Sequence, residues 1–161
     1  MPELTKPTRF TVTLRGQTYT CDLAVEATAD IDELGGLNTA LADTPGKVAW
    51  YGVLRAQAEE EANAAKARAD LVYAQVFQQV EGTVEAKKTL VTMSKEYQAA
   101  LGLQRQSQYI LALLDVARDV LRNRRDALLE IARNLRAEMD NELTVARRTA
   151  QQVLRTPPGR G

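Results

Sequence analysis

The chain has 161 residues, 45% of them hydrophobic and 5% aromatic, with 21 basic and 21 acidic side chains that cancel to zero net charge. That length suits one domain with a real core, and a neutral chain is no general magnet for polyanions. With no histidine and Cys21 as the sole cysteine, the groups for imidazole acid/base catalysis, Cys/His metal sites and disulfide frameworks are missing, so neither an enzyme nor a cofactor is expected.

In chain order, "RFTVTLRGQTYTCDL" (Arg9 to Leu23) alternates at period two and reads as a β-hairpin, with Gly16-Gln17 as a two-residue turn led by glycine. In that register Leu14 faces Tyr19, Val12 faces Cys21 and Phe10 faces Leu23, all on one apolar face that must pack on helices or on another subunit. Cys21 is then a small core residue. "DIDELGGLNTALAD" follows as a short helix over Asp30–Asp43, weakened at Gly35-Gly36, a candidate hinge. "TPGK" then reads as a new helix start, with Thr44 as N-cap and Pro45 in the first turn, running to about Gln79. Gly82 ends it and Thr83 caps the next.

From Val84 the pattern is helical to about Gln152, with a break near Thr92 to Ser94, before "TPPGRG" frays. Ile110, Leu114, Ala117, Leu121, Leu128, Ile131 and Leu135 form a coiled-coil-type seam in which Arg124 takes one position. The expected architecture is mainly α: long antiparallel helices with coiled-coil-like packing plus an N-terminal β-hairpin. Its three parts are a hairpin segment (1–29), a helical oligomerisation and binding domain (30–152) and a flexible tail (153–161). No apolar run is long enough for a membrane span and no signal peptide is evident, so a reducing, cytoplasmic setting is expected.

Charge is unevenly spread. Residues 1–36 carry six acids and three bases, whereas 101–136 carry seven arginines against four acids. In the Arg-rich "RDVLRNRRD" (118–126), Asp115, Asp119 and Asp126 are helix neighbours of Arg118 and Arg122, which leaves Arg124 and Arg125 with fewer local partners. Glu59-Glu60-Glu61 reads as a solvated face with no chemistry. Trp50 and Tyr51 read as packing groups where the helix meets the hairpin or a second helix.

The first long helix has the stripe Leu54, Ala58, Ala62, Ala65, Ala69, Val72 and Val76, whose alanine centre admits close approach of a partner helix. Lys66 and Arg68 lie about 80° to either side of that stripe. Two readings are open: cations snorkelling over a seam and pairing with Asp70 or Glu61, or contacts to an anionic ligand.

The order of motifs resembles the UvsY family of phage recombination mediators: "DIDEL" in an acidic front, "WY" opening a long helix, "AKARADLVY", then "SKEYQAAL" and "SQYILALLDVARDVLRNRRDALLEI". The correspondence covers roughly Asp30 to Met139. It matches Lys66, Ala67, Arg68, Asp70 and Tyr73 in the first helix, and Leu113, Leu114 and Asp115 in the later one. The resemblance implies a non-enzymatic, ring-forming homo-oligomer, expected to have six or more subunits, that binds single-stranded DNA. It further implies help to a RecA-like recombinase in displacing single-strand-binding protein, within the bacterial host cytoplasm. Lys66 and Arg68 become candidate DNA contacts by matching position, and Arg124 and Arg125 join them as the less partnered cations of the basic half. A phage scaffold or connector component, or an adaptor working through protein partners alone, would use the same seams without DNA.

Overall fold

The computed structural model describes residues 9–27 and 34–155. Two strands, β1 (Arg9–Leu14) and β2 (Gln17–Asp22), lead into a short helix α1 (Leu23–Ala27), then α2 (Leu34–Gln79), α3 (Val84–Met93) and α4 (Lys95–Arg155). The front motif "DIDEL" and the last residues of the tail fall largely outside the described residues.

β1 and β2 are antiparallel, pairing Phe10 with Cys21, Val12 with Tyr19 and Leu14 with Gln17. The turn is therefore Arg15-Gly16, one residue earlier than the glycine-first turn expected, and each β1 residue meets a partner two positions earlier. Both central residues have positive φ, 49° at Arg15 and 78° at Gly16, the requirement of a type I′ turn whose twist matches the strands. A non-glycine residue held left-handed costs about 1–2 kcal/mol. Two contacts offset it: the Arg15 backbone N–H donates to Glu61 at 2.6 Å, and its guanidinium bonds Glu60. A shift of two keeps every side chain on its face, so Val12, Leu14 and Cys21 are buried as the alternation demands. Leu23 is also buried, but as the first residue of α1, a helix that the period-two pattern conceals.

α2 runs unbroken through Gly36, Thr44 and Pro45, so neither a hinge at the glycines nor a helix start at Thr44 is present. The Thr44 hydroxyl donates back to the Ala40 carbonyl at 2.6 Å, the opposite of an N-cap's accepting role. Pro45 lacks the N–H that would reach residue 41, at a cost of about 3 kcal/mol. Tertiary burial on both sides offsets it. Leu37 and Ala40 before the proline pack with Leu128, and Tyr51, Leu54 and Ala58 after it pack with Leu114, Ala117 and Leu121, on one continuous partner helix.

The turn back to α4 follows the expected signals. Gly82 has φ 126°, and the Thr83 hydroxyl accepts from the Ala86 N–H. Ser94, extended at φ −66° and ψ 140°, closes α3 through its N–H to Val91 and opens α4 by accepting the Tyr97 N–H at 3.2 Å. α2 and α4 then lie antiparallel: Tyr73 meets Tyr97, Arg55 meets Asp115, Thr44 meets Arg124, and Leu37 packs with Leu128.

The larger core joins hairpin and helices: Val12, Leu14, Cys21 and Leu23 with Tyr51, Leu54, Ala58, Leu114, Ala117 and Leu121. Tyr51 is fully buried, its hydroxyl donating to Glu26 at 3.1 Å, and Trp50 stands edge-on to both Tyr51 and Tyr19. The aromatic pair thus sits where the first long helix meets the hairpin. Among the described residues, no helix is long and apolar enough to cross a membrane.

Candidate nucleic-acid interface

The four candidate cations divide between two levels of the helical pair. Lys66 and Arg68 project from the alanine-packed half of α2, where Ala62 and Ala69 are buried and both cations are exposed. Neither makes an ion pair or hydrogen bond among the described residues; the pairing with Asp70 or Glu61 that spacing allows is not formed. Arg68 borders a groove of about 300 Å³ between α2 and α4, floored by Ala64, Ala65, Ala100 and Leu103 with Glu61 and Ser107 at its rim.

Glu61, one heptad before Arg68 on the same helix and a border of the same groove, is taken by the hairpin turn. Its carboxylate accepts the Arg15 N–H, while Glu60 holds the Arg15 guanidinium. Two of the three glutamates that read as a bare solvated face therefore anchor the hairpin tip.

Arg124 and Arg125 lie elsewhere. Arg124 faces Thr44, its Nη1 donating to the threonine hydroxyl at 3.3 Å, and its Nε is buried. Thr44 and Arg124 form a polar layer between the two apolar clusters, which explains an arginine in a leucine seam. Since Lys66 is 22 residues beyond Thr44 on one helix, the two levels are separated by about 33 Å. Arg125 is exposed and bonds its neighbour Asp126 at 2.9 Å. The Arg-rich stretch is largely occupied: Arg118 reaches Asp115 at 3.2 Å, and Asp115 also accepts from Arg55 at 2.6 Å. Arg55 in turn holds Glu59, and these hydrogen bonds, Asp115 first, raise its pKa. Arg122 is exposed and unpaired among the described residues.

One further cation, which the sequence pattern does not single out, reaches the level of Lys66 and Arg68 from α4. Arg105 stands about 180° round α4 from the side on which Leu103 and Ser107 border the groove beside Arg68, so it points outward, exposed and without an ion pair among the described residues. Folding the two helices back about Gly82–Ser94 pairs positions whose numbers sum to about 170, a signal present in the sequence once the turn is fixed.

Cys21 is buried and its thiol pKa is pushed up, first by desolvation, so it is a packing group and not a nucleophile. Among the described residues no group of three or more His, Cys, Asp or Glu could hold a metal ion. Comparison with family models, curated proteins and solved structures gives no match.

Proposed function

We propose that this protein is a single-stranded-DNA-binding homo-oligomer that promotes loading of a RecA-like recombinase onto DNA coated with single-strand-binding protein, in the cytoplasm of a bacterial host. The observation that carries the reading is the pair of exposed, unpaired cations Lys66 and Arg68 on the alanine half of α2, with Glu61, which borders the same groove as Arg68, held by the hairpin. The ordered UvsY-like motifs supply the recombination context. A neutral subunit binds a polyanion weakly, but a closed ring repeats the same cations around its axis so that phosphate contacts add. Exposed Val53, Leu71, Tyr109 and Val116 provide apolar surface for such assembly.

Fluorescence anisotropy of a labelled oligothymidylate tests the reading. Wild type binds with strong salt dependence. The double change Lys66→Ala/Arg68→Ala leaves the oligomer intact and weakens binding at least tenfold at low salt. It also lowers the slope of log K against log salt by ~1.4 for each subunit engaged, because each phosphate no longer neutralised takes away ~0.7 on a single strand. Binding unchanged in that variant overturns the site, and wild type that ignores single-stranded DNA overturns the function. Zero net charge together with extensive exposed apolar surface supports a second reading, a phage assembly or adaptor protein that oligomerises without DNA.

A further inference from the structure

α4 outruns its partner. The described cover that α2 gives it reaches Leu37, Asn38 and Leu41, which meet Ala132, Leu135, Arg136 and Met139 around a small cleft. Beyond that step every described α4 residue from Arg136 to Gln151 is exposed, whereas Leu114, Ala117, Leu121 and Leu128 on the same helix are buried. The apolar stripe does not stop with its cover. Ala132 continues into Met139, Leu143, Ala146 and Ala150 in coiled-coil steps of three and four or their sum, with Met139 52% and Leu143 54% exposed. A helical overhang of about 25 Å, from Met139 to Arg155, gains little from propensity alone and draws its stability from burying such a stripe.

We propose that the overhang pairs with the same segment of a second copy of this chain, antiparallel about a two-fold axis centred between Thr144 and Val145. Two features of the sequence select that occupant and direction. First, antiparallel layers set Met139 against Ala150 and Leu143 against Ala146 of the partner subunit, each a large side chain against a small one. Parallel pairing would instead stack Ala146 and Ala150 on themselves and leave loose layers. Second, Asp140 and Arg147 occupy the same flank of the stripe, so the antiparallel arrangement brings Asp140 of each copy beside the other's Arg147, twice by symmetry. Neither residue has an ion pair within its own chain among the described residues. The contact continues the seam that already joins α2 to α4, with the two hairpin-bearing bodies towards opposite ends of the pair. It takes from the proposed function only that the chain self-associates, and is independent of DNA.

Sedimentation of the full chain without DNA tests it. Wild type sediments as an even-numbered assembly, and Leu143→Glu at least halves the mass, with any loss of helicity confined to the overhang and the Trp50 fluorescence of the hairpin core unchanged, because position 143 lies beyond the described cover of α2. Asp140→Arg and Arg147→Asp each weaken association several-fold, and the double variant restores it, which a merely structural role would not do. For direction, mixed Met139→Cys and Ala150→Cys chains cross-link chiefly to each other, Cys21 being buried. An unchanged mass for Leu143→Glu in an oligomeric protein overturns this contact and leaves self-association standing, whereas a monomeric wild type overturns both. Cross-linking of Ala150→Cys chains chiefly with themselves overturns the antiparallel direction.

Discussion

The two halves of the helical pair use their charges in opposite ways. Around Leu54, Leu114 and Leu121, under the β-hairpin, large side chains fill the core, and the cations at its margin are engaged: Arg55 and Arg118 share Asp115, and Arg124 contacts Thr44. Around Ala62 and Ala69 the helices pack through small residues, and Lys66, Arg68 and Arg105 remain exposed without ion pairs among the described residues. The density of arginine along a sequence therefore says little about available charge. Arg118 and Arg124 of the Arg-rich segment are engaged at the packed seam, while the sparser alanine half presents its cations to solvent.

Breaking the packed half has the largest expected effect. Leu114 is 0% exposed at the centre of the main core, so Leu114→Ala removes buried methyl groups and leaves a cavity, costing about 2–5 kcal/mol in urea or thermal unfolding. The same measurement on Lys66→Ala/Arg68→Ala moves stability by no more than about 0.5 kcal/mol, since neither side chain is buried or paired. A destabilisation comparable to that of Leu114→Ala in the double variant would erase the distinction between the halves.

The architecture is legible in the sequence wherever local chemistry and packing agree. The seam through Leu114, Ala117 and Leu121, the Gly82–Thr83 junction and the Ser94 break each carry a periodicity or cap that tertiary contacts do not oppose. At Pro45 they do oppose it: TPGK has the local form of a helix start, but apolar residues on both sides face one helix, and their burial outweighs the missing hydrogen bond. Local rules misplace the hairpin turn because Gly16 serves either central position. The choice rests on Glu60 and Glu61, 45 and 46 residues away, which no local rule sees. For the candidate site, helical angles place Lys66 and Arg68 beside the seam. Arg105 reaches their level only once α4 is folded back, on the outer face of that helix, and Arg124 leaves them because its seam position lies opposite Thr44.

Arg124 sharpens the comparison further. Arg124 is half-buried in the seam, where it contacts Thr44 between two apolar clusters and is withdrawn from the surface that Lys66 and Arg68 present. Arg124→Leu is therefore expected to keep the helical pair folded, as read by circular dichroism. It leaves single-stranded-DNA affinity as in wild type. Loss of DNA binding in Arg124→Leu, with the fold intact, would return the basic half of α4 to the candidate interface.

The smallest expected effect is confined to alkaline pH and to the core under the hairpin. Burial raises the pKa of Tyr51 well above its ordinary 10.0, with its hydrogen bond to Cys21 adding to the shift, and burial likewise raises Cys21 above 9.0. The folded chain therefore keeps protons that the unfolded chain releases, so stability falls with rising pH once the unfolded groups begin to ionise. Stability is level with respect to these two groups below about pH 9, declines from there through the cysteine, and declines more steeply above about pH 10 as tyrosine joins. Tyr51→Phe removes the second component, so its urea midpoint falls less between pH 9 and 11 than that of wild type. The helical half around Lys66 has no such buried acid, and Lys66→Ala/Arg68→Ala should follow the wild-type alkaline profile. An identical alkaline decline in wild type and Tyr51→Phe would show that the buried phenol does not set it.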